Sequence, residues 1–269
     1  MELDEQEALK FAEELVLGAG KILTDHFDVP LTVKKKGLRD LVTEVDLQSE
    51  AWIVSKILNK WPEHSILAEE GGTSHTSLKD STFRWIIDPL DGTTNYAHGY
   101  PFFSVSIALE ISGVLAVGCV YNPIAGELFS ARRGGGAFLN GERIRVSSEK
   151  KLSNSLVCTG FSYNRDKILK NLALFHQIML EARAVRRDGS AALDLCYVAC
   201  GRFEAFWEIS LNPWDIAGGL LIVQEAGGVV SHFDETACGV SGEEILASNE
   251  YVHKEIASIL NMPLAPKGP

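Results

Sequence analysis

The chain has 269 residues, 46% hydrophobic and 23% charged, the composition of a folded soluble protein that needs no disulfide or metal staple to build a core. Its 25 Lys and Arg against 36 Asp and Glu leave a formal charge of -11, which argues against nonspecific nucleic-acid binding as the main activity, since that requires a net cationic face. Five scattered cysteines without a Cys-x-x-Cys argue against a disulfide framework or zinc knuckle; Cys196 and Cys200 could share a helix face as ligands but read better as small buried hydrophobes.

The amino terminus lacks the cationic and apolar regions of a secretory signal, and the longest uncharged stretches contain Pro, Gly, Asn or His, so no membrane span is expected and the cytoplasm is the expected location. Glu5 to Phe27 place apolar side chains at Ala8, Leu9, Ala12, Leu15, Val16, Ala19 and Leu23, the stripe of an amphipathic helix. The basic stretch Leu31 to Asp40, with Lys34-Lys35-Lys36, connects it as a strand pair or a mobile loop to a second helix running from about Val45 to Trp61. Ser65 to Ala68 reads as a short strand ending in the turn Glu69-Glu70-Gly71-Gly72, and Arg84 to Ile87 as another before Asp88-Pro89. Strands at Phe102 to Glu110, Val114 to Tyr121 and Glu127 to Arg132 suggest an antiparallel meander. Helices are then expected over Asn164–Arg183, Ser190–Cys200 and Asp215–Ala226, with extended segments over Ala184–Arg187, Phe203–Ile209 and Gly227–Phe233. This interleaving predicts a layered α/β or α+β fold, a single domain over 1–269 with 1–145 and 146–269 as its subdomains should it divide.

The segment Trp85-Ile-Ile-Asp88-Pro89-Leu90-Asp91-Gly92-Thr93-Thr94 carries the most chemistry. An apolar strand delivers two carboxylates, three residues apart, onto a tight turn; such like charges repel unless a cation lies between them, and Mg²⁺ is the natural hard ion for oxygen ligands. A short helix starting after Asp91 would offer the amides of Gly92, Thr93 and Thr94 to an anion. Taken alone, Asp88 and Asp91 also suit turns and caps, Glu69-Glu70 a solvated turn, and Asp215 and Asp46 plain helix N-caps. Jointly, four acidic sites stand where a strand or loop meets a helix, and such junctions gather at one edge of a layered sheet.

The strings Trp85-x-x-Asp88-Pro89-x-Asp91-Gly92-Thr93 and Trp214-Asp215-x-Ala217-Gly218, the latter followed by Glu225-Ala-Gly-Gly228, resemble the two signatures of the inositol monophosphatase family. The resemblance extends over nearly the whole chain, through the Glu69-Glu70 turn, Asp40-Leu-Val-Thr43-Glu-Val-Asp46 and Asp188-Gly189-Ser190-Ala191; it departs at Ala68, where relatives commonly place Gly. It implies a layered α/β/α/β/α sandwich, a homodimer, lithium sensitivity and two to three Mg²⁺ ions. One ion would be held by Glu69, Asp88 and the Leu90 carbonyl, a second by Asp88, Asp91 and Asp215, and a weaker third by Glu69 and, through water, Asp46. A water acidified by Mg²⁺ would pass its proton toward Thr93 and Asp46 and attack phosphorus in line. Asp91, the Ala191 amide, Glu208 and Asp215 would recognise the alcohol, the Gly92 and Thr93 amides the phosphate, and Lys35 would steer the anion.

The expected activity is hydrolysis of a polyol phosphate monoester, inositol 1-phosphate first. Arg183, Arg186 and Arg187 keep a second phosphate, and with it fructose 1,6-bisphosphate, among the alternatives; histidinol phosphate and 3′-phosphoadenosine nucleotides are others. The competing class is an interaction protein, since some bacterial members resemble transcription or ribosomal-RNA maturation partners, with Arg132-Arg133 and Arg183 to Arg187 as contacts.

Overall fold

Asp4 opens the first helix, its carboxylate accepting the Gln6 amide at 2.9 Å, and α1 (Glu5–Asp25) buries the predicted stripe from Ala8 to Leu23. The computed structural model describes residues 3–29, 33–35, 41–71 and 81–262. A two-stranded antiparallel pair, β1 (Val33–Lys35) and β2 (Leu41–Thr43), precedes α2 (Glu44–Lys60), so the basic connection takes its strand-pair alternative. Thr43 caps α2 in a capping box with Asp46, which is therefore the third helical residue and not the N-cap.

Seven strands follow in sheet order: β3 (Ser65–Ala68), β4 (Phe83–Asp91), β5 (Ser104–Ile111), β6 (Val114–Asn122), β7 (Glu127–Arg132), β8 (Gly136–Leu139) and β9 (Glu142–Arg143). Only β3 and β4 are parallel; the rest form the expected meander, extended by the two short strands at its far edge. A short helix, α3 (Thr93–Ala97), separates β4 from β5. β4 runs farther than the apolar segment Arg84 to Ile87 suggested. It pairs with β5 through Asp88 and again at Asp91, with an irregularity between them, so both carboxylates stand on a bulged strand end and not in a turn. Pro89 fits inside the bulge because no ladder amide is needed there.

The second sheet has the order β11 (Ala184–Arg186), β10 (Leu156–Thr159), β12 (Ala205–Ile209), β14 (Glu244–Ser248) and β13 (Val229–Ser231). Its helices are α4 (Arg165–Glu181), α5 (Ala191–Ala199), α6 (Pro213–Glu225) and α7 (His253–Leu260). The layers run α1 and α2, the seven-stranded sheet, α5 and α6, the five-stranded sheet, then α4 and α7, which is the α/β/α/β/α order. Helices α5 and α6 are apolar nearly all round because a sheet covers each side. The glycines of Ala217-Gly218-Gly219 let α6 sit this close: a Cβ on Gly218 would fall 2.8 Å from Ser106 Oγ, and one on Gly219 would fall 2.7 Å from Leu195 Cβ. Glu225, at the other end of α6, accepts the amides of Gly134 and Gly136 at 2.7 and 2.8 Å, so its carboxylate anchors the β7–β8 turn.

Candidate active site

Each predicted acid reaches one cavity from a different element. Asp88 and Asp91 come from the end of β4, Glu69 from the turn after β3, Asp215 from the first turn of α6 and Glu208 from β12. These five line a cavity of about 750 Å³ with Leu90, Gly92, Thr93 and Ala191, so nine of the predicted site residues share one wall system. Asp46 stands behind it, joined by the Thr93 hydroxyl, which donates to Asp46 Oδ1 at 3.1 Å. The expectation for the Lys35 side chain falls outside the described residues.

Local structure places each group. Gly92, at φ +98°, turns the chain from β4 into α3, and a Cβ there would meet the Phe102 carbonyl oxygen at 3.1 Å. Asp91 Oδ2 accepts the Ser190 hydroxyl at 2.6 Å and the Ala192 amide at 2.8 Å, which ties β4 to the start of α5. Asn95 donates to the carbonyls of Phe102 and Asp188, fixing α3 against the segment before α5. Asp215 Oδ2 accepts the Asn212 amide at 2.6 Å, so Asp215 too is the third residue of its helix and not the N-cap. On α2, Asp46 Oδ2 accepts the amide and hydroxyl of Thr43, Ser49 donates to the Pro89 carbonyl at 3.0 Å, and Glu50 accepts the Glu70 amide at 2.8 Å.

The electrostatics are those of acids gathered out of water. Asp88, 1% exposed, is pushed well above the usual carboxylate range by burial and then by the charges of Glu69, Asp91 and Asp215, against one hydrogen bond from the Leu90 amide. Burial raises Asp91 to about 6, opposed by Ser190 and Ala192. Asp215 rises to about 8 and Glu208 to about 8, both chiefly by desolvation. Asp46 is also raised by burial, with hydrogen bonds from Thr43 and Thr93 opposing.

Asp88 engages the protein through Oδ1 alone, and its Oδ2 has no protein donor among the described residues, while Asp91 and Asp215 are held by the donors around Ser190 and Asn212. With the Leu90 carbonyl this is a set of hard oxygen donors whose desolvated charges a divalent cation would offset, and it fits Mg²⁺. Among the described residues no three acidic, His or Cys side chains close onto a single point, so the set is an open one facing the cavity.

The sequence model of the inositol monophosphatase family matches residues 4–262. The chain belongs to the inositol monophosphatase family. It is 46% identical to the inositol-1-monophosphatase of Synechocystis sp. over 96% of this chain and 90% of that protein. It is 41% identical to the Nus factor SuhB of Pseudomonas aeruginosa over 97% of this chain and 98% of that protein. The structure of an inositol monophosphatase from Anabaena (Nostoc) sp. superposes with a TM-score of 0.87 at 42% identity, covering 97% of this chain and 98% of that one. Membership makes the chain a phosphatase, a hydrolase of phosphate esters. No helix among the described residues is long and apolar enough to cross a membrane.

Several residues that build the family's cavity here escaped the sequence reading. Ser49 and Glu50 lie three and four positions after Asp46, so polar groups occupy a helix face that should be apolar, which was the available signal. Ser190 and Asn95 gave none beyond their place in the motifs. Gly160 is small because the Glu208 carboxyl packs onto it: a Cβ there would lie 2.1 Å from Glu208 Oε2. Asp194 also lines the cavity unannounced, whereas Arg187, which lines it too, is one of the arginines the sequence offered for a second phosphate. Of the basic residues proposed as contacts, Arg132 and Arg133 lie beside Glu5, at 3.9 and 2.7 Å, and stay partly exposed.

Proposed function

We propose that the chain hydrolyses a polyol phosphate monoester, inositol 1-phosphate first, in the cytoplasm and with Mg²⁺ as cofactor. The observation that carries this is the meeting of Glu69, Asp88, Asp91 and Asp215 with Thr93, Asp46 and Glu208 around one cavity. Asp88, Asp91, Asp215, Glu69 and the Leu90 carbonyl are the groups that would hold the ions. Mg²⁺, when bound, supplies a Lewis acid and a water acidic enough to act near neutral pH.

Thr93 has one hydroxyl proton and two acceptors at 3.1 Å, Asp46 Oδ1 and the Leu90 carbonyl. When that proton goes to Asp46, the Thr93 oxygen keeps its lone pairs for a proton from the attacking water, and Asp46 holds the hydroxyl in place. The Gly92 and Thr93 amides at the start of α3 receive the phosphate. Glu208, Asp91 and the Ala191 amide hold the alcohol, and Lys35 attracts the anion. The closeness to the Synechocystis inositol-1-monophosphatase supports the substrate. Phosphate release with Mg²⁺ is the test, run on inositol 1-phosphate, fructose 1,6-bisphosphate, histidinol phosphate and a 3′-phosphoadenosine nucleotide. Turnover of inositol 1-phosphate above the others is expected, and turnover of none overturns the reading.

The likeness to the Pseudomonas SuhB favours a second reading, a transcription-associated role exercised as a dimer through the surface. Asp88→Asn separates the two. If this variant fully restores the phenotype of a deletion strain, hydrolysis is not the essential role.

A further inference from the structure

Gly160 follows the last residue of β10, and its own backbone does not call for glycine, since its φ lies outside the left-handed region. What it meets is a carboxyl. β10 runs parallel to β12 with Thr159 beside Trp207, so the next residues, Gly160 and Glu208, fall side by side and point to one face of the sheet. A Cβ on Gly160 would lie 2.5 Å from both Cδ and Oε1 of Glu208 and closer still to Oε2. Glu208 is buried and takes no side-chain hydrogen bond from the protein among the described residues, so packing, and not a donor, sets where its head group lies. The distinction has a chemical consequence. A protein donor would occupy lone pairs that a ligand hydroxyl needs, whereas a bare glycine surface holds the carboxyl and leaves them free.

Gly160 is itself pinned from α4. Asn171, fully buried on that helix, accepts the Trp207 indole N–H at 2.9 Å through Oδ1. Its Nδ2 donates to the Gly160 carbonyl at 2.6 Å and to the Thr159 hydroxyl oxygen at 3.1 Å. An indole nitrogen can only donate, which fixes the oxygen end of the Asn171 amide and commits both of its N–H groups to the end of β10. The Thr159 hydroxyl donates in turn to the Trp207 carbonyl at 2.6 Å, tying β10 to β12 just before Gly160 and Glu208. One side chain thus draws the Gly160 carbonyl toward α4 and keeps the bare Cα against the Glu208 carboxyl, on the wall of the cavity that both residues line.

We propose that Gly160, pinned by Asn171, is a specificity-determining residue whose missing side chain seats the Glu208 carboxyl toward a hydroxyl-bearing leaving group. The inference deepens the assignment of Glu208 to the alcohol and rests on that reading. It makes selectivity for hydroxylated alcohols depend on a contact between two neighbouring strands, and not on the carboxyl alone.

The test uses the full chain with Mg²⁺ and compares Gly160→Ala, Glu208→Asp and the two together. kcat and KM are measured for inositol 1-phosphate and for p-nitrophenyl phosphate, whose leaving group has no further hydroxyl, and each chain is melted by calorimetry. Gly160→Ala should lower the preference for inositol 1-phosphate, as the ratio of kcat/KM values, about tenfold and mostly through KM, the equivalent of one lost hydrogen bond to a charged group. Its Tm should fall by about 2–12 °C, the effect of overpacking a fitted contact. Glu208→Asp draws the carboxyl back by one methylene and makes room for the methyl, so adding Gly160→Ala to it should leave the preference and the Tm of that chain unchanged or raise them. A further fall in either overturns the inference. So does a Gly160→Ala chain that keeps its preference, or that loses both substrates equally. If Gly160→Ala alone does not fold, the comparison of the double variant with Glu208→Asp decides in the same way, and a double variant that does not fold overturns the inference. Failure of the wild type on both substrates instead removes the phosphatase reading itself, while a preference unchanged by Glu208→Asp removes the assignment of Glu208 to the alcohol and the inference with it.

Discussion

Glu208→Gln tests the electrostatics of the cavity on a carboxyl that is only 6% exposed. The carboxyl rises from an ordinary 4.5 to about 8, through desolvation first and the Asp215 charge second, with Arg187 opposing. A carboxyl raised in the folded state favours folding while it is neutral. Its contribution is complete below pH 4.5 and is lost as pH rises toward 8, because the unfolded chain releases the proton more readily than the folded one. At 1.36 kcal/mol per pH unit past the unfolded midpoint, the cost of Glu208 is about 1 kcal/mol at pH 5 and about 3 kcal/mol at pH 7. Glutamine has the same shape, so the packing against Gly160 is kept and the titration is removed. In the presence of EDTA, Glu208→Gln should raise Tm over the wild type by about 2–4 °C at pH 5 and by about 6–12 °C at pH 7, at roughly 2–4 °C per kcal/mol for a chain of this size. Scanning calorimetry at the two pH values provides the measurement. A Tm difference independent of pH, or a loss of stability at pH 7, would refute the argument.

Three further outcomes are expected. Asp88→Asn removes the most deeply buried acid of the cluster, so it should raise Tm in EDTA, lose most of the Tm increase that Mg²⁺ gives the wild type, and release no phosphate; thermal melts with and without the ion check this. Thr93→Ala should lower kcat about a hundredfold or more, the ordinary contribution of positioned proton transfer, with Thr93→Ser retaining most of it in a phosphate-release assay. Gly118→Ala should cost about 1–3 kcal/mol in urea melts, because its Cβ would fall 2.6 Å from the Gly218 carbonyl oxygen where α6 crosses β6.

Much of this site was legible because its residues sit where local patterns change. An apolar strand ending in Asp88-Pro89, a glycine after Asp91 and an acid in the first turn of α6 are visible without coordinates, and so are the elements that carry them. Less legible was anything that depends on two distant segments meeting. Asp46 and Thr93 are joined across 47 positions and Asp91 and Ser190 across 99, and only the stacking of α2, β4 and α5 makes them neighbours. The strands β10 and β14 are short and lie in the second sheet, where parallel and antiparallel pairs mix, so no hairpin signal announces them. Asp194 reads as an ordinary helical acid until its burial is known.

The same layering explains why the acids of an acidic protein can converge at all. β4 supplies Asp88 and Asp91 from the first sheet, β12 supplies Glu208 from the second, and α6 carries Asp215 between them. The cavity is therefore built across three layers, and its spacing depends on how closely α6 lies on β5 and β6. Gly118 and Gly218 set that distance and Gly219 sets the approach of α6 to Leu195 on α5, although none of the three lines the cavity. The small residues after Trp214-Asp215 thus belong to the chemistry in a definite sense. A side chain at any of the three would lift α6 from its neighbours and carry Asp215 away from Asp88. Stability and the catalytic spacing should consequently fail together in those variants, whereas Glu208→Gln and Asp88→Asn should separate them by raising the one while lowering activity.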